Sequence, residues 1–110
     1  MIRVRFDRDE PSMEITGHAG AGKYGSDLVC AAASILLHTL TAALQDRGES
    51  FLPVISTVPG EARISCNALP RALKACRDIF SVIFTGYELL EIQYPQYVAT
   101  ECFGAEWREE

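Results

Sequence analysis

The sequence predicts an α+β fold of order ββαββα, in which two helices pack on one face of a sheet to form two layers. Two observations lead to this prediction. Four short segments suit strands joined in pairs by turn residues, and two longer segments place apolar residues at helical spacing. With 110 residues, the chain has the size of one compact domain. We therefore predict a single domain over residues 1–110, with a strand order that the sequence leaves open.

The first two strands are predicted from alternating patterns near the N-terminus. Residues 2–6 read Ile-Arg-Val-Arg-Phe, and residues 12–17 alternate in the same way, which is the period of a half-buried strand. Between them, residues 9–11 read Asp-Glu-Pro, a combination typical of turns. The chain is thus expected to begin with a β-hairpin.

A second hairpin and a second helix are predicted further along the chain. Residues 51–58 and 61–67 suit strands, and Pro59-Gly60 between them suits the centre of a type II turn. Pro70 is acceptable in the first turn of the next helix. The core-facing positions of that helix are Leu73, Cys76, Phe80, Ile83, Tyr87 and Leu90. Residues 97–100 are expected to add a short strand.

The first helix is predicted from Asp27 to Gln45, ending before Gly48. It is apolar in nearly every direction, so we expect it either to lie within the core or to share a face with a second subunit. The second alternative predicts a homodimer. The helix has one narrow polar stripe, with spacings of 3, 4 and 4, formed by Asp27, Cys30, Ser34 and His38.

Composition narrows the class of protein. A formal charge of −5 disfavours a nucleic-acid surface, which clusters Lys and Arg, and favours a basic partner. The four cysteines contain no C-x-x-C pair, and with two histidines they form no spaced zinc set, so we expect no metal and no cofactor. We expect neither a signal peptide nor a membrane-spanning helix, and therefore a cytoplasmic protein with reduced thiols.

Cys30 is the candidate nucleophile. It lies in the first turn of the predicted helix, where unpaired N–H groups and the macrodipole favour a thiolate by about 0.3–1 kcal/mol. Taken alone, a helical cysteine beside Val29 and Ala31 is more often a small core residue, so this alternative stays open. A nucleophilic role requires a base within about 2.6–3.2 Å.

His18 is the better of the two candidate bases. His38 lies eight residues beyond Cys30 on the same helix, about 12 Å away at a helical rise of 1.5 Å per residue. The glycine-rich segment after His18 can instead fold back to the helix start. By strand parity, however, His18 points away from the face of Met13. We therefore expect the strand to end or bulge at Gly17, so that the two side chains meet.

Supporting roles remain open at this stage. Asp27 can orient the imidazole or cap the helix, and Ser34 can contact the site or bond back to the carbonyl of residue 30. Residues 17–25, Gly-His-Ala-Gly-Ala-Gly-Lys-Tyr-Gly, lack the spacing of a P-loop and are expected to form a mobile loop. Backbone N–H groups of such a loop can hold an oxyanion. The predicted substrate-loop residues are Ala19, Gly20, Gly22 and Gly25.

The segment from Gly17 to Ser34, GHAGAGKYGSDLVCAAAS, closely resembles the signature of the bacterial ribosomal-processing cysteine proteases, the Prp family. It joins G-H-A, a G-x-D before the cysteine and C-A-A-x-S, with His and Cys twelve residues apart. The total length and the ββαββα order are also similar to that family. These residues carry the chemical part of the resemblance.

The resemblance implies an endopeptidase that removes a short N-terminal extension from a large-subunit ribosomal protein whose tail reaches the peptidyl transferase centre. It implies Cys30 as nucleophile and His18 as general base, with Asp27 and Ser34 in support. It also implies a homodimer with a flexible loop over the site, and cleavage after a hydrophobic, aromatic-containing stretch and before small residues.

Two other hypotheses compete with the protease. The first is a non-catalytic, ribosome-associated peptide-binding module in which the thiol is incidental. The second is a thiol redox sensor, which requires Cys66 or Cys76 to approach Cys30 in space, because no second cysteine is adjacent in sequence.

Overall fold

The computed structural model of the protein describes residues 1–18, 20 and 27–104. It confirms a mixed α+β fold with an open five-stranded sheet and two long helices packed on it. The elements in chain order are β1 (Ile2–Asp7), β2 (Ser12–Thr16), α1 (Leu28–Asp46), α2 (Gly48–Phe51), β3 (Pro53–Val58), β4 (Glu61–Cys66), a 3₁₀ turn (Pro70–Ala72), α3 (Leu73–Gln93) and β5 (Val98–Phe103).

Two strand boundaries differ from the sequence prediction by two residues or more. The predicted strand over residues 51–58 begins only at Pro53, because the short helix α2 occupies the residues before it. Leu52 joins the two elements in the left-handed region, with φ of 45°. The last strand is longer than predicted, since β5 extends to Phe103 and pairs with β1 in parallel over six residues.

The strand order β3-β4-β2-β1-β5 determines which chain segments meet. β4 lies between β2 and β3 and is antiparallel to both. Thr16 at the end of β2 is the register partner of Glu61 at the start of β4. The β3–β4 turn therefore lies beside the residue at which β2 ends.

The core fills only one face of the sheet. Phe6 of β1 stacks on Phe80 of α3 with ring centroids 6.0 Å apart, and burial of such apolar area is the main stabilising contribution. On the opposite face, Arg63 pairs with Glu14 at 3.1 Å and with Glu61 at 2.9 Å. Helices on one face and charges on the other confirm the predicted two-layer arrangement.

Contacts with α3 hold the first turns of α1. The buried hydroxyl of Tyr87 donates to the Ala33 carbonyl at 2.8 Å, and burial raises the pKa of that phenol. Gly86 permits the close approach of the two helices, because a Cβ there would lie 2.7 Å from Leu36 Cδ2. The part of α1 that carries Cys30 is thereby fixed to the core.

The composition of α1 resembles that of a membrane-spanning helix, although one side of it packs into the core. Its 19 residues include an 18-residue window of mean hydropathy 1.7, so the helix has the length and composition of a membrane span. Its inner side nevertheless packs into the core shared with the sheet, through Val29, Ala33, Leu40 and Leu44. Its outer side is apolar and exposed, with Leu28 at 75% and Ile35 at 62% exposure.

Candidate active site

The end of β2 is broken at Gly17, as predicted. The strand ends at Thr16, and Gly17 has φ of +89°, in the left-handed region that favours glycine. Its N–H donates to the Gly60 carbonyl at 2.9 Å. A Cβ at this position would also clash with the Met1 carbonyl oxygen. Both the backbone conformation and the available space therefore require glycine here.

His18 follows this break and lies against the β3–β4 turn. Gly60 has φ of +78°, the value expected at the third position of the predicted type II turn. A Cβ on Gly60 would lie 3.4 Å from His18 Nε2, so the imidazole packs directly on the turn. The side-chain alternation of β2 would have pointed His18 away from the helices. Because the strand ends at Thr16, this alternation does not extend to His18.

Cys30 is the third residue of α1 and is half-buried. Its backbone N–H donates to Asp27 Oδ1 at 3.0 Å, so Asp27 is the N-cap residue of the helix. This cap satisfies one of the N–H groups that a helix start leaves unpaired. Of the two roles considered for Asp27, capping is the one observed. Orientation of the imidazole is a separate function that the cap does not exclude.

Ser34 is exposed one turn after Cys30. Thr39 and Thr85 each donate to the carbonyl four residues earlier, at 2.6 and 2.9 Å, as mid-helix hydroxyls commonly do. Among the described residues, no such bond joins the Ser34 hydroxyl to the Cys30 carbonyl. Ser34 is one of the residues that line the cavity containing Cys30.

One cavity of about 210 Å³ brings together the end of β2, the start of α1 and the β3–β4 hairpin. His18, Cys30 and Ser34 all line it. The other lining residues are Ile2, Ile15, Gly17, Ala33, Leu37, Thr57, Val58, Gly60, Glu61 and Ala62. A mostly apolar cavity with a few convergent polar groups is typical of a binding or catalytic site.

The β3–β4 hairpin contributes residues to the cavity that were not predicted from the sequence. Thr57, Val58 and Glu61 line the cavity, but they carry no motif and reach it only because β4 pairs with β2. Knowledge of the strand order would have identified them. His38 is exposed and is not part of the cavity lining.

The predicted substrate loop is described only in part. Ala19, Gly22 and Gly25 lie outside the described residues. Gly20 is exposed, with φ of +67°, and no atom of the other described residues lies within 4 Å of an added Cβ. The expectation of a mobile loop over the site thus stays a prediction.

The other three cysteines lie away from the cavity. Cys66 and Cys76 are 4% and 0% exposed, and the hydrogen bond between the two thiols, together with burial, raises the pKa of Cys66. Cys66 is five residues beyond Glu61 on β4, about 17 Å at the rise of a strand. Burial also raises the pKa of Cys102 on β5. Neither buried cysteine lines the cavity that contains Cys30.

A second, larger cleft of about 290 Å³ lies on the charged face of the sheet. Arg5, Glu14, Arg63 and Phe103 are among its lining residues, which include neither cysteine nor histidine. Two of its side chains are already engaged, since Arg63 pairs with Glu14 and Arg5 lies 5.1 Å from the Phe103 ring centroid. It therefore lacks the groups for nucleophilic catalysis that the smaller cavity contains.

A thiol in the first turn of a helix and an imidazole on the same cavity are the components of a cysteine peptidase site. Residues 1–99 match the family model described as cysteine protease Prp. The chain belongs to the Prp family of cysteine proteases, and it is accordingly an enzyme of the cysteine protease class.

Solved structures show the same likeness. The essential ribosomal processing protease Prp from Staphylococcus aureus, in complex with a covalently linked product peptide, is 25% identical with a TM-score of 0.79, covering 94% of this chain and 100% of that one. Its complex with a substrate peptide, 24% identical, has a TM-score of 0.74 over the same shares of both chains. SMU.848 from Streptococcus mutans is 28% identical, with a TM-score of 0.71 and 93% and 96% coverage. In a comparison with curated protein sequences, none matches significantly.

Proposed function

We propose that this protein is an endopeptidase that removes the N-terminal extension of a bacterial large-subunit ribosomal protein by means of a Cys30–His18 dyad. The observation that carries the proposal is the presence of both side chains on one cavity in a member of a cysteine protease family. The similar Staphylococcus aureus protein is a ribosomal processing protease crystallised with substrate and product peptides, which supports a peptide substrate here.

In the proposed mechanism, His18 takes the proton from the Cys30 sulfur, and the thiolate attacks the scissile carbonyl. Protonated His18 then gives its proton to the leaving amine, and water hydrolyses the thioester. The Cys30 N–H is bonded to Asp27, so it is not the donor to the oxyanion. That role falls to other backbone N–H groups at the helix start or in the glycine-rich segment. Ser34, which lines the same cavity, is proposed to support the reacting groups.

The charge of the chain suits this substrate. A net charge of −5 attracts a basic ribosomal tail, and electrostatic attraction increases the rate of encounter. Glu61 is one of the residues that line the cavity, although its carboxylate pairs with Arg63 at 2.9 Å on the charged face of the sheet. We place the reaction in the cytoplasm, where ribosomal proteins are assembled, and in a single domain formed by residues 1–110.

Cleavage of the extended ribosomal protein tests the proposal directly. We expect one cut, after the hydrophobic, aromatic-containing stretch of the extension and before small residues, detected as a change in intact mass. The matched control is the same ribosomal protein without its extension, which should keep its mass. An extended substrate that stays intact in the presence of folded wild-type protein would show that the proposal is wrong.

We also propose that the active form is a homodimer. Its contact surface, here called the outer helix surface, is the side of α1 and α3 turned away from the sheet. Large apolar side chains on this surface are exposed, from 54% to 75%: Leu28, Ile35, Val82, Leu89 and Ile92. Apolar patches of this kind commonly mark protein–protein contacts, and the family resemblance points to a second copy.

Light scattering tests the dimer. The wild type is expected to have twice the monomer mass at micromolar concentration, and Ile35→Glu is expected to be monomeric because a carboxylate would be buried in the contact. Val54→Glu is the matched control, since Val54 is 52% exposed but lies on β3, outside the outer helix surface. A monomeric wild type, or equal masses for wild type and Ile35→Glu, would count against this surface.

A further inference from the structure

β3 is an edge strand that adjoins the active-site cavity. In the sheet formed by the described residues it occupies one end of the strand order, and its last two residues, Thr57 and Val58, line the cavity. Its sequence, Pro-Val-Ile-Ser-Thr-Val, contains no charge. Natural proteins usually protect an exposed edge with charged residues or bulges, because unpaired backbone groups attract another strand. The absence of charged side chains from this edge suggests that it pairs with a partner.

Two hydrogen bonds determine which backbone groups of β3 point outward. The Gly60 carbonyl accepts from Gly17, on the β2 side of β4, so the backbone groups of Glu61 point to the other side, toward β3. At the far end of β4, the Asn67 N–H donates to the Leu52 carbonyl. Because backbone groups alternate along a strand, odd-numbered residues of β4 bond to even-numbered residues of β3.

The odd-numbered residues of β3 therefore direct their N–H and C=O groups away from the sheet. These residues are Pro53, Ile55 and Thr57. The position of Pro53 agrees with this parity, because proline has no N–H and is tolerated where that group faces solvent. Ile55 and Thr57 thus present two donors and two acceptors along the free edge, and Thr57 does so at the wall of the cavity.

We propose that the substrate binds as an extended strand along the free edge of β3, pairing with the backbone of Ile55 and Thr57. This inference rests on the proposed peptidase function and adds the binding mode. Strand addition to a sheet edge gives affinity through main-chain bonds, while alternate side chains give specificity. Thr57 lines the cavity that contains Cys30, so a peptide bound along the edge of β3 would run directly into that cavity. The edge and the cavity together are here called the substrate track.

The side chains beside this track indicate the class of peptide. Val54 and Val58 of β3 are 52% and 59% exposed, and the cavity wall is mostly apolar. An extended segment with apolar side chains next to its cleavage point therefore fits better than a charged segment. The alternative occupant is a second copy of the chain, paired edge to edge through β3. A change of mass when this edge is disrupted would distinguish a second copy from a bound peptide.

The protein arm of the test compares Thr57→Pro with Thr57→Val. Both variants lose the hydroxyl, but only proline loses the outward N–H and blocks pairing at that residue. We expect kcat/KM of Thr57→Pro to be about tenfold below that of Thr57→Val, because the proline removes one hydrogen bond, worth a few-fold, and its ring also hinders pairing of the neighbouring residues. Ile55→Pro provides a second, independent variant.

Three readouts make the result decisive. Circular dichroism checks that the variants are folded, and the rate of Cys30 alkylation by iodoacetamide checks that the thiol is still accessible. Light scattering checks the mass. Equal cleavage by folded Thr57→Pro and Thr57→Val would overturn the proposal. So would a change of mass in Thr57→Pro, because the edge would then be a contact between copies.

The peptide arm separates this proposal from the peptidase function. Synthetic peptides that span the extension and its cleavage point are N-methylated at single positions, and their binding to Cys30→Ala is measured by calorimetry. Methylation should weaken binding at every second residue, with the alternate positions as internal controls. If wild-type protein cleaves nothing but this alternation is found, the peptidase proposal fails and the edge proposal stands. Equal binding of all methylated peptides would reject the edge.

Discussion

Cys30→Ala is expected to abolish cleavage of the extended ribosomal protein while leaving the fold intact. Cys30 is half-buried on the cavity, so loss of its sulfur removes little packing. Without the nucleophile, the rate should fall by about 10⁴-fold or more, as it does when a member of a catalytic unit is removed. The measurement is the initial rate of product formation at equal concentrations of folded protein.

The chain supplies a matched control for each member of the dyad. Cys102 is also half-buried but lies on β5, so Cys102→Ala should cleave at the wild-type rate. His18→Ala should lose activity, whereas His38→Ala, at an exposed position outside the cavity, should keep it. If Cys30→Ala cleaves as well as the wild type, the dyad is wrong.

The same variants decide between the peptidase and the rival hypotheses. A non-catalytic binding module would bind the peptide in both wild-type and Cys30→Ala forms and cleave it in neither. A redox sensor would require a second thiol near Cys30, but the thiols of Cys66 and Cys76 are buried and hydrogen-bonded to each other, and neither residue lines the cavity that contains Cys30. The geometry of the described residues thus removes the support for an intramolecular redox pair.

Local patterns were sufficient to predict the elements that carry the dyad. The alternation in β1 and β2 gave both strands within one residue at each end, because one face of each is buried and the other is charged. The apolar segment that follows Asp27 predicted the start of α1 to within one residue, since the helix begins at Leu28 and Asp27 is its cap. Glycine at position 17 predicted the break, since it was the residue at which the strand could turn.

What the sequence could not provide depends on tertiary pairing. The contribution of Thr57 and Glu61 to the cavity follows from the pairing of β4 with β2, which no local pattern encodes. Helix α2 replaced the start of a predicted strand because residues 48–51 carry no decisive period. The sequence allowed α1 either to lie within the core or to keep an exposed apolar side. Since the helix is apolar in nearly every direction, hydrophobicity alone does not say which side faces the sheet.

Gly17 connects the fold to the chemistry. Its N–H bond to Gly60 ties the end of β2 to the β3–β4 turn, and the next residue is the proposed base. The same bond fixes the parity of β4 and, through it, the outward groups of Thr57. The orientation of His18 and the proposed substrate edge therefore depend on one backbone junction.

Gly17→Ala is the variant that tests this junction. Its φ of +89° costs an alanine roughly 1–2 kcal/mol, and the added Cβ would clash with the Met1 carbonyl oxygen. Relief of that clash must move the end of β2, and with it His18. Because a displacement of about 1 Å can reduce catalysis by about 10²-fold, we expect a loss of that size in kcat/KM, with a smaller free energy of unfolding in urea.

Gly104→Ala separates the catalytic effect from the loss of stability. Gly104 has φ of +102°, and its Cβ would lie 3.1 Å from Asp7 Oδ1, so this variant combines a strained backbone with a close contact. It follows β5, at the end of the sheet where β1 finishes, whereas the cavity lies near the start of β1. Gly104→Ala should therefore lose stability and keep kcat/KM. If both variants lose stability and neither loses kcat/KM, the position of His18 does not depend on Gly17.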